Sequence, residues 1–320
     1  MAKLIMACDA PELALLKAGP ARFGDLEVEI QRVQPRERHK RMAESLAFDI
    51  CEFSLVDYLN GVERGLPFTA IAIFPHRIFR HRDIWVSSVS GIKEPKELSG
   101  KRVGIQSWTN SASVWQRGLL AQDYGVDLTS IEWVAESAAH GAGGKRPEWA
   151  RIATKPRDRS LDQMLASGDI DALMLPRPPE LTPEEMARIR RLFPDYSTAE
   201  QEYRARTGIF PIMHVMVIKN DLLNSNPGIA RIVSHGVQAA LDTFIDRKRL
   251  TSGQSLVWPE LNWQEQDRHL GPYPWPAGVE ANRKELDLLI GYAVEQGILS
   301  RRIAPEALFG TKAQPPVGTG

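Results

Sequence analysis

Seven consecutive residues, His76 to Arg82, hold three arginines and two histidines before Asp83 supplies the first acid. The run follows the apolar stretch TAIAIF, so it sits where a strand should give way to a loop. In open α/β sheets ligands gather at the carboxyl ends of strands. Arginine presents a planar fork that matches a carboxylate bidentately and keeps its charge when partly desolvated. Histidine titrates near neutrality, at about 6.5 when unperturbed. Together they suit an anionic ligand that must also exchange a proton; the plainer reading is a solvated loop whose arginines meet surface acids. A metal centre fits less well. His76 and His81 are five apart, no carboxylate lies between them, and neighbouring guanidiniums repel a cation.

Three other stretches place polar groups at similar positions. In GIQSWTNSASVWQRG, Gly104–Gly118, a strand ends and Ser107, Thr109, Asn110 or Ser111 can cap the helix that follows. A helix start offers unpaired N–H groups and a positive dipole end, suited to an anion; plain capping needs only one of the four. In DALMLPRPPE, Arg177 is framed by three prolines that stiffen its loop, for binding or simply as a rigid connection. In GIFPIMHVMVIK, His214 opens an apolar strand, as a site residue or a satisfied core histidine. Trp258, Trp263 and Trp275 could line an aromatic pocket, although core packing is the simpler expectation. HGAGGKR lacks the spacing of a nucleotide-binding loop, and GxGxxG, GxSxG and HExxH are absent from the sequence.

The elements that must position these residues alternate short apolar runs with amphipathic stretches, the pattern of α/β layering. Strands are expected at 3–8, 26–32, 50–53, 69–74, 84–87, 102–106, 131–134, 172–175 and 214–218. Helices are expected at 36–47, 55–64, 111–123, 160–166, 229–247 and 279–296. This order suggests a chain that leaves one lobe, builds another and returns. One lobe would hold residues 1–86 and 215–320, the other 87–214, with a double hinge crossing and a cleft between two mostly parallel sheets flanked by helices.

Composition narrows the function classes. Across 320 residues, forty basic side chains balance forty acidic ones, which argues against nucleic-acid binding by field alone. No stretch approaches the ~20 apolar residues of a membrane span, and the start of the chain lacks the make-up of an export signal, so a cytoplasmic location is expected. Cys8 and Cys51 are the only cysteines and read as buried free thiols.

With these residues assembled, the chain resembles the 4,5-dihydroxyphthalate decarboxylase family. The resemblance runs through FPHRIFRH, GKRVGIQ, SASVWQRGLLAQDYGV, GDIDALMLPRPP, RRLFPDY, RTGIFPIMHVMVI, GVEANRK and YAVEQGILSRRIAPEALF, which cover nearly the whole length. The turns YPWPAG and QSWTN depart from that family's pattern. The resemblance implies a fold like type 2 periplasmic binding proteins. It implies cytoplasmic loss of carbon dioxide from a dihydroxylated aromatic dicarboxylate, leaving protocatechuate, with no organic cofactor and no metal assigned.

Such chemistry needs an acid near the carbon bearing the carboxylate, a base at the para hydroxyl and cations on the carboxylates. Arg77 and Arg80 are the expected carboxylate holders, helped by the helix start at Asn110–Ser111 and by Arg177. His81 and His214 are the expected proton carriers, either one as acid or base. Glu52 and Ser54 match the family's Glu-x-Ser and would read the ring hydroxyls; Ser54 could equally cap the helix beginning at Leu55. The expected partner is a small aromatic acid, with neither nucleic acid nor membrane; a homo-oligomer stays open. The competing reading is a transporter-type solute-binding protein for an aromatic carboxylate, which would use the arginines but not the histidines. An effector-sensing regulator would need a DNA-binding segment, and no helix-turn-helix candidate precedes Lys3.

Overall fold

The computed structural model describes residues 3–17, 21–136 and 146–309. Most of the glycine-rich HGAGGKR stretch, His140–Lys145, lies outside the described residues. The chain divides into two compact units, Met1–Ile78 with Ile209–Asp287 and Ile303–Gly320, and Phe79–Gly208 with Leu288–Arg302. The chain passes between units within FPHRIFRHRD and again at 208/209, a few residues before the expected boundaries at 86/87 and 214/215. A further exchange at 287/288 falls inside the helix Arg283–Glu295.

In chain order the strands are β1 (Leu4–Cys8), β2 (Ala21–Phe23), β3 (Leu26–Arg32), β4 (Ile50–Ser54), β5 (Phe68–Ile71) and β6 (Ile84–Ser87). Then come β7 (Arg102–Ile105), β8 (Glu132–Ala135), β9 (Arg151–Thr154), β10 (Ala172–Met174), β11 (Ile189–Arg191) and β12 (His214–Lys219). Three helices bear on the argument: α1 (Pro35–Ser45), α2 (Leu55–Glu63) and α3 (Ser111–Tyr124).

The first unit holds a six-stranded sheet ordered β2-β3-β1-β4-β12-β5. β1 runs parallel to β3 and β4, whereas β12 lies antiparallel between β4 and β5 and β2 lies antiparallel to β3. The sheet is therefore mixed: β1, β3, β4 and β5 run one way, and β12, arriving late in the sequence, enters against the direction of its neighbours. Every residue of β4 is buried, which its apolar Ile50, Cys51 and Phe53 explain and Glu52 does not. The helix Ile229–Thr251 buries Ile229, Val233, Val237 and Leu241, four apart on one stripe, in a core that includes Leu13 and Phe23. Approach there is close: a Cβ on Gly236 would sit 1.7 Å from the Phe23 ring.

The second unit holds a sheet ordered β11-β6-β10-β7-β8-β9, parallel through β10, β7, β8 and β9, with β6 and β11 completing it antiparallel. The helix Leu161–Ser167 opens with a Ser160–Gln163 capping box and ends on Gly168 in the left-handed region. Its Leu161 and Leu165 pack with Trp85, Ile170 and Leu173.

Candidate active site

The register of the first sheet sets Ser54 opposite His214 and Glu52 opposite Met216. Side chains two apart on a strand share a face, so Glu52 and Ser54 point the same way as His214. Glu52 is fully buried, and a carboxylate there must be paired. Its Oε1 meets Arg38 Nη2 at 3.1 Å and His214 Nδ1 at 2.5 Å. Its Oε2 accepts the backbone N–H groups of Asp9 at 2.7 Å and Ala10 at 2.9 Å. Arg38 is positioned by α1, whose Pro35 opens the first turn, and donates further to the carbonyls of Glu52 and Val33, each at 2.7 Å.

Charges in this cluster follow from those contacts. Burial opposes ionisation of Glu52, but Arg38, His214 and the backbone donors outweigh it and hold the carboxyl well below the usual range. Burial pushes His214 down to about 4, against the pull of Glu52. At neutral pH an ionised Glu52 thus faces a neutral imidazole. An ionised carboxylate only accepts, so the proton of that imidazole sits on Nδ1 and the lone pair on Nε2.

Two more imidazoles flank His214. The His76 ring centroid lies 5.1 Å away and that of His39 5.2 Å away, the latter edge-on. His76 Nδ1 meets Glu12 Oε1 at 3.2 Å. The sequence singled out neither His39, Arg38 nor Glu12; the register of β4 against β12, the packing of α1 and the short helix Pro11–Lys17 after β1 bring them together. A cavity of about 830 Å³ opens at the end of β1, lined among others by Asp9, Arg32, Phe244, Arg247 and Lys248. Asp9 is common to this cavity and the Glu52 network.

Arg77 belongs to the same unit with a different environment. Its Nε and Nη2 donate to the Phe210 carbonyl, Nη1 donates to Asn282 Oδ1 at 2.8 Å, and Nη2 pairs with Glu285 at 2.7 Å. Every nitrogen of that guanidinium is engaged in holding chain segments together. Ser54 caps α2, accepting from the Asp57 N–H at 3.4 Å.

The other expected residues lie in the second unit. Arg80 is buried and pairs with Asp83 at 2.7 Å. His81 is only 1% exposed, ringed by Phe193, Tyr203 and Tyr124 at centroid distances of 5.2, 5.4 and 6.2 Å. Burial, with Arg206 adding to it, pushes His81 down to about 4. Neither of its ring nitrogens finds a hydrogen-bond partner among the described residues. Asn110 caps α3 by accepting from the Ser113 N–H at 2.8 Å, and the buried hydroxyls of Ser107 and Ser113 have no partner among the described residues. Ser111 is the first residue of α3 and is buried. Arg177 forks onto Asp162 at 2.7 and 3.3 Å and also meets Glu180 at 3.4 Å.

Of the three tryptophans, Trp275 packs on the first unit's core, Trp263 donates to Ser252 Oγ at 3.0 Å, and Trp258 is exposed. Cys8 and Cys51 are free and buried. Among the described residues no group of three His, Cys, Asp or Glu side chains could hold a metal ion, and no helix is long and apolar enough to cross a membrane.

No family model matches the chain. It is similar to the 4,5-dihydroxyphthalate decarboxylase of Comamonas testosteroni, 30% identical over 287 residues, which cover 86% of each chain. It is similar also to the 4,5-dihydroxyphthalate decarboxylase of Pseudomonas putida, 32% identical over 196 residues, 57% of this chain and 76% of that protein. Among solved structures, the periplasmic aliphatic sulphonate binding protein SsuA of Escherichia coli superposes with a TM-score of 0.55 at 14% identity, covering 96% of this chain and 91% of that one. That likeness shows the fold: a periplasmic-binding-protein-like α/β architecture with two mixed sheets.

Proposed function

Because the chain belongs to the 4,5-dihydroxyphthalate decarboxylase family, we propose that it is a carboxy-lyase converting 4,5-dihydroxyphthalate to protocatechuate and carbon dioxide. The observation that carries this reading is the similarity to a relative of that name along 86% of both chains. The chemistry of the His214–Glu52–Arg38 cluster supports it. Direct loss of carbon dioxide would leave an unstabilised aryl carbanion. Protonation of the carbon bearing the carboxylate avoids this, provided the para hydroxyl gives up its proton and feeds electrons into the ring. Carbon dioxide then departs, the C–C electron pair restores the aromatic ring, and the oxygen recovers its proton.

In this scheme His214 Nε2 takes the hydroxyl proton and later returns it. Glu52 stabilises the transient imidazolium, and Arg38 with two backbone N–H groups keeps Glu52 ionised at neutral pH. In the second unit Arg80 and Arg177 hold carboxylates of the protein, Asp83 and Asp162. The same reading keeps the enzyme in the cytoplasm, acting on a small aromatic acid without nucleic acid.

The test is to incubate purified protein with 4,5-dihydroxyphthalate and measure carbon dioxide and protocatechuate. Stoichiometric release of both is expected; tight binding with no carbon dioxide would overturn the reading in favour of a solute-binding protein. His214→Asn should lower turnover by about 10²–10⁴, and unchanged turnover would remove His214 from the chemistry.

A further inference from the structure

Protonating a ring carbon while deprotonating a hydroxyl needs two groups at once, and a single neutral imidazole cannot be both. His214, with Nδ1–H tied to Glu52, is set to accept. The donor must reach the same ring. His76 is the imidazole placed to do so: its ring centroid is 5.1 Å from that of His214, near enough for both rings to meet one small aromatic ligand. We propose that His76, oriented by Glu12, is the general acid that delivers the proton to the ring carbon, with His214 as its partner base.

Four observations support this assignment, which rests on the decarboxylase reading above. The two rings are built alike, each with Nδ1 against a glutamate: His214 on Glu52 at 2.5 Å and His76 on Glu12 at 3.2 Å. Their separation is held by backbone, since the His76 carbonyl accepts the N–H groups of Met213 and His214 and Arg77 bridges to Ile212 next door. Both rings are partly open, 21% for the His76 side chain and 15% for His214, whereas His81 is enclosed by three aromatic rings. Finally, Glu12 Oε2 is buried with no hydrogen-bond partner among the described residues, so this carboxylate has an acceptor left over for a ligand hydroxyl.

The protons balance. His76 in its charged form gives one proton to carbon; the hydroxyl proton goes to His214 and returns to oxygen after the C–C bond breaks. One proton per turnover is drawn from solvent through His76, and carbon dioxide leaves with no electron acceptor required.

Two measurements on His76→Asn and Glu12→Gln test the assignment at a temperature where each variant is folded by circular dichroism. One is carbon dioxide release from 4,5-dihydroxyphthalate. The other is exchange of protocatechuate ring hydrogen with deuterium oxide, followed by proton NMR, which isolates proton delivery from C–C cleavage. His76→Asn should lose about 10²–10⁴ in kcat with little change in KM, and should lose exchange in parallel. Glu12→Gln should lower kcat in the same direction and less, and should also raise KM, because Glu12 Oε2 is the acceptor offered to a ligand hydroxyl. Wild-type turnover with undiminished kcat and exchange in His76→Asn would overturn the role of His76 alone. Absence of carbon dioxide release from the wild type would overturn the decarboxylase reading and this inference with it.

Discussion

Two imidazoles, His81 and His214, are each held at about 4 by burial, in different units and different company. In an unfolded chain each would titrate near 6.5. Between those values the unfolded state binds protons that the native state refuses, so stability rises with pH across that window and falls as pH drops from about 6.5 towards 4. Urea unfolding at several pH values should show this slope. His81→Phe, which sets a phenyl among Phe193, Tyr203 and Tyr124, should flatten it; an unaltered slope would mean His81 does not carry the effect. Residue types were readable from the sequence, but partners were not. FPHRIFRHRD announced charge and imidazole, yet Arg77 is taken up by Phe210, Asn282 and Glu285, residues more than a hundred positions away. The same motif holds His76, whose partner Glu12 comes from another part of the chain.

The strands that read clearly are those buried along their length. β4 and β12 carry runs of Ile, Phe, Val and Met, and their burial on both faces explains the run. Elements at the margins left weaker traces. β9, RIAT, is largely exposed at the end of its sheet, and the helix Pro259–Leu270 has no buried residue, so neither needs an apolar rhythm. The helix Tyr196–Thr207 buries only Tyr203. Packing between elements also sets a glycine requirement that no motif announces. Gly236→Ala would drive a methyl into the Phe23 ring, an overpacking expected to cost about 1–3 kcal/mol and to lower the melting temperature. A melting temperature equal to wild type would show that Phe23 can swing away.

At the scale of the molecule, Arg77 and its partners tie together parts of the first unit drawn from opposite sides of the intervening sequence. Arg77→Met would leave Glu285 buried without its cation, and losing one member of a buried pair costs about 3–5 kcal/mol. Urea unfolding should register that loss, and a shift near zero would show that Asn282 and backbone groups suffice for Glu285. The leave-and-return order was legible because apolar strand patterns resume at His214 after a long α/β stretch. The third exchange, inside Arg283–Glu295, gives no such sign, because one uninterrupted helix crosses it.

Tyr58, early in the chain, donates its hydroxyl to the Leu308 carbonyl, and Arg117 and Trp108 both reach Gln296. During synthesis, then, each hydrophobic interior waits for residues beyond 287, and the sequence ahead of them emerges before either can seal. A ribosome stalled ahead of residue 288 would carry a nascent chain dependent on chaperones.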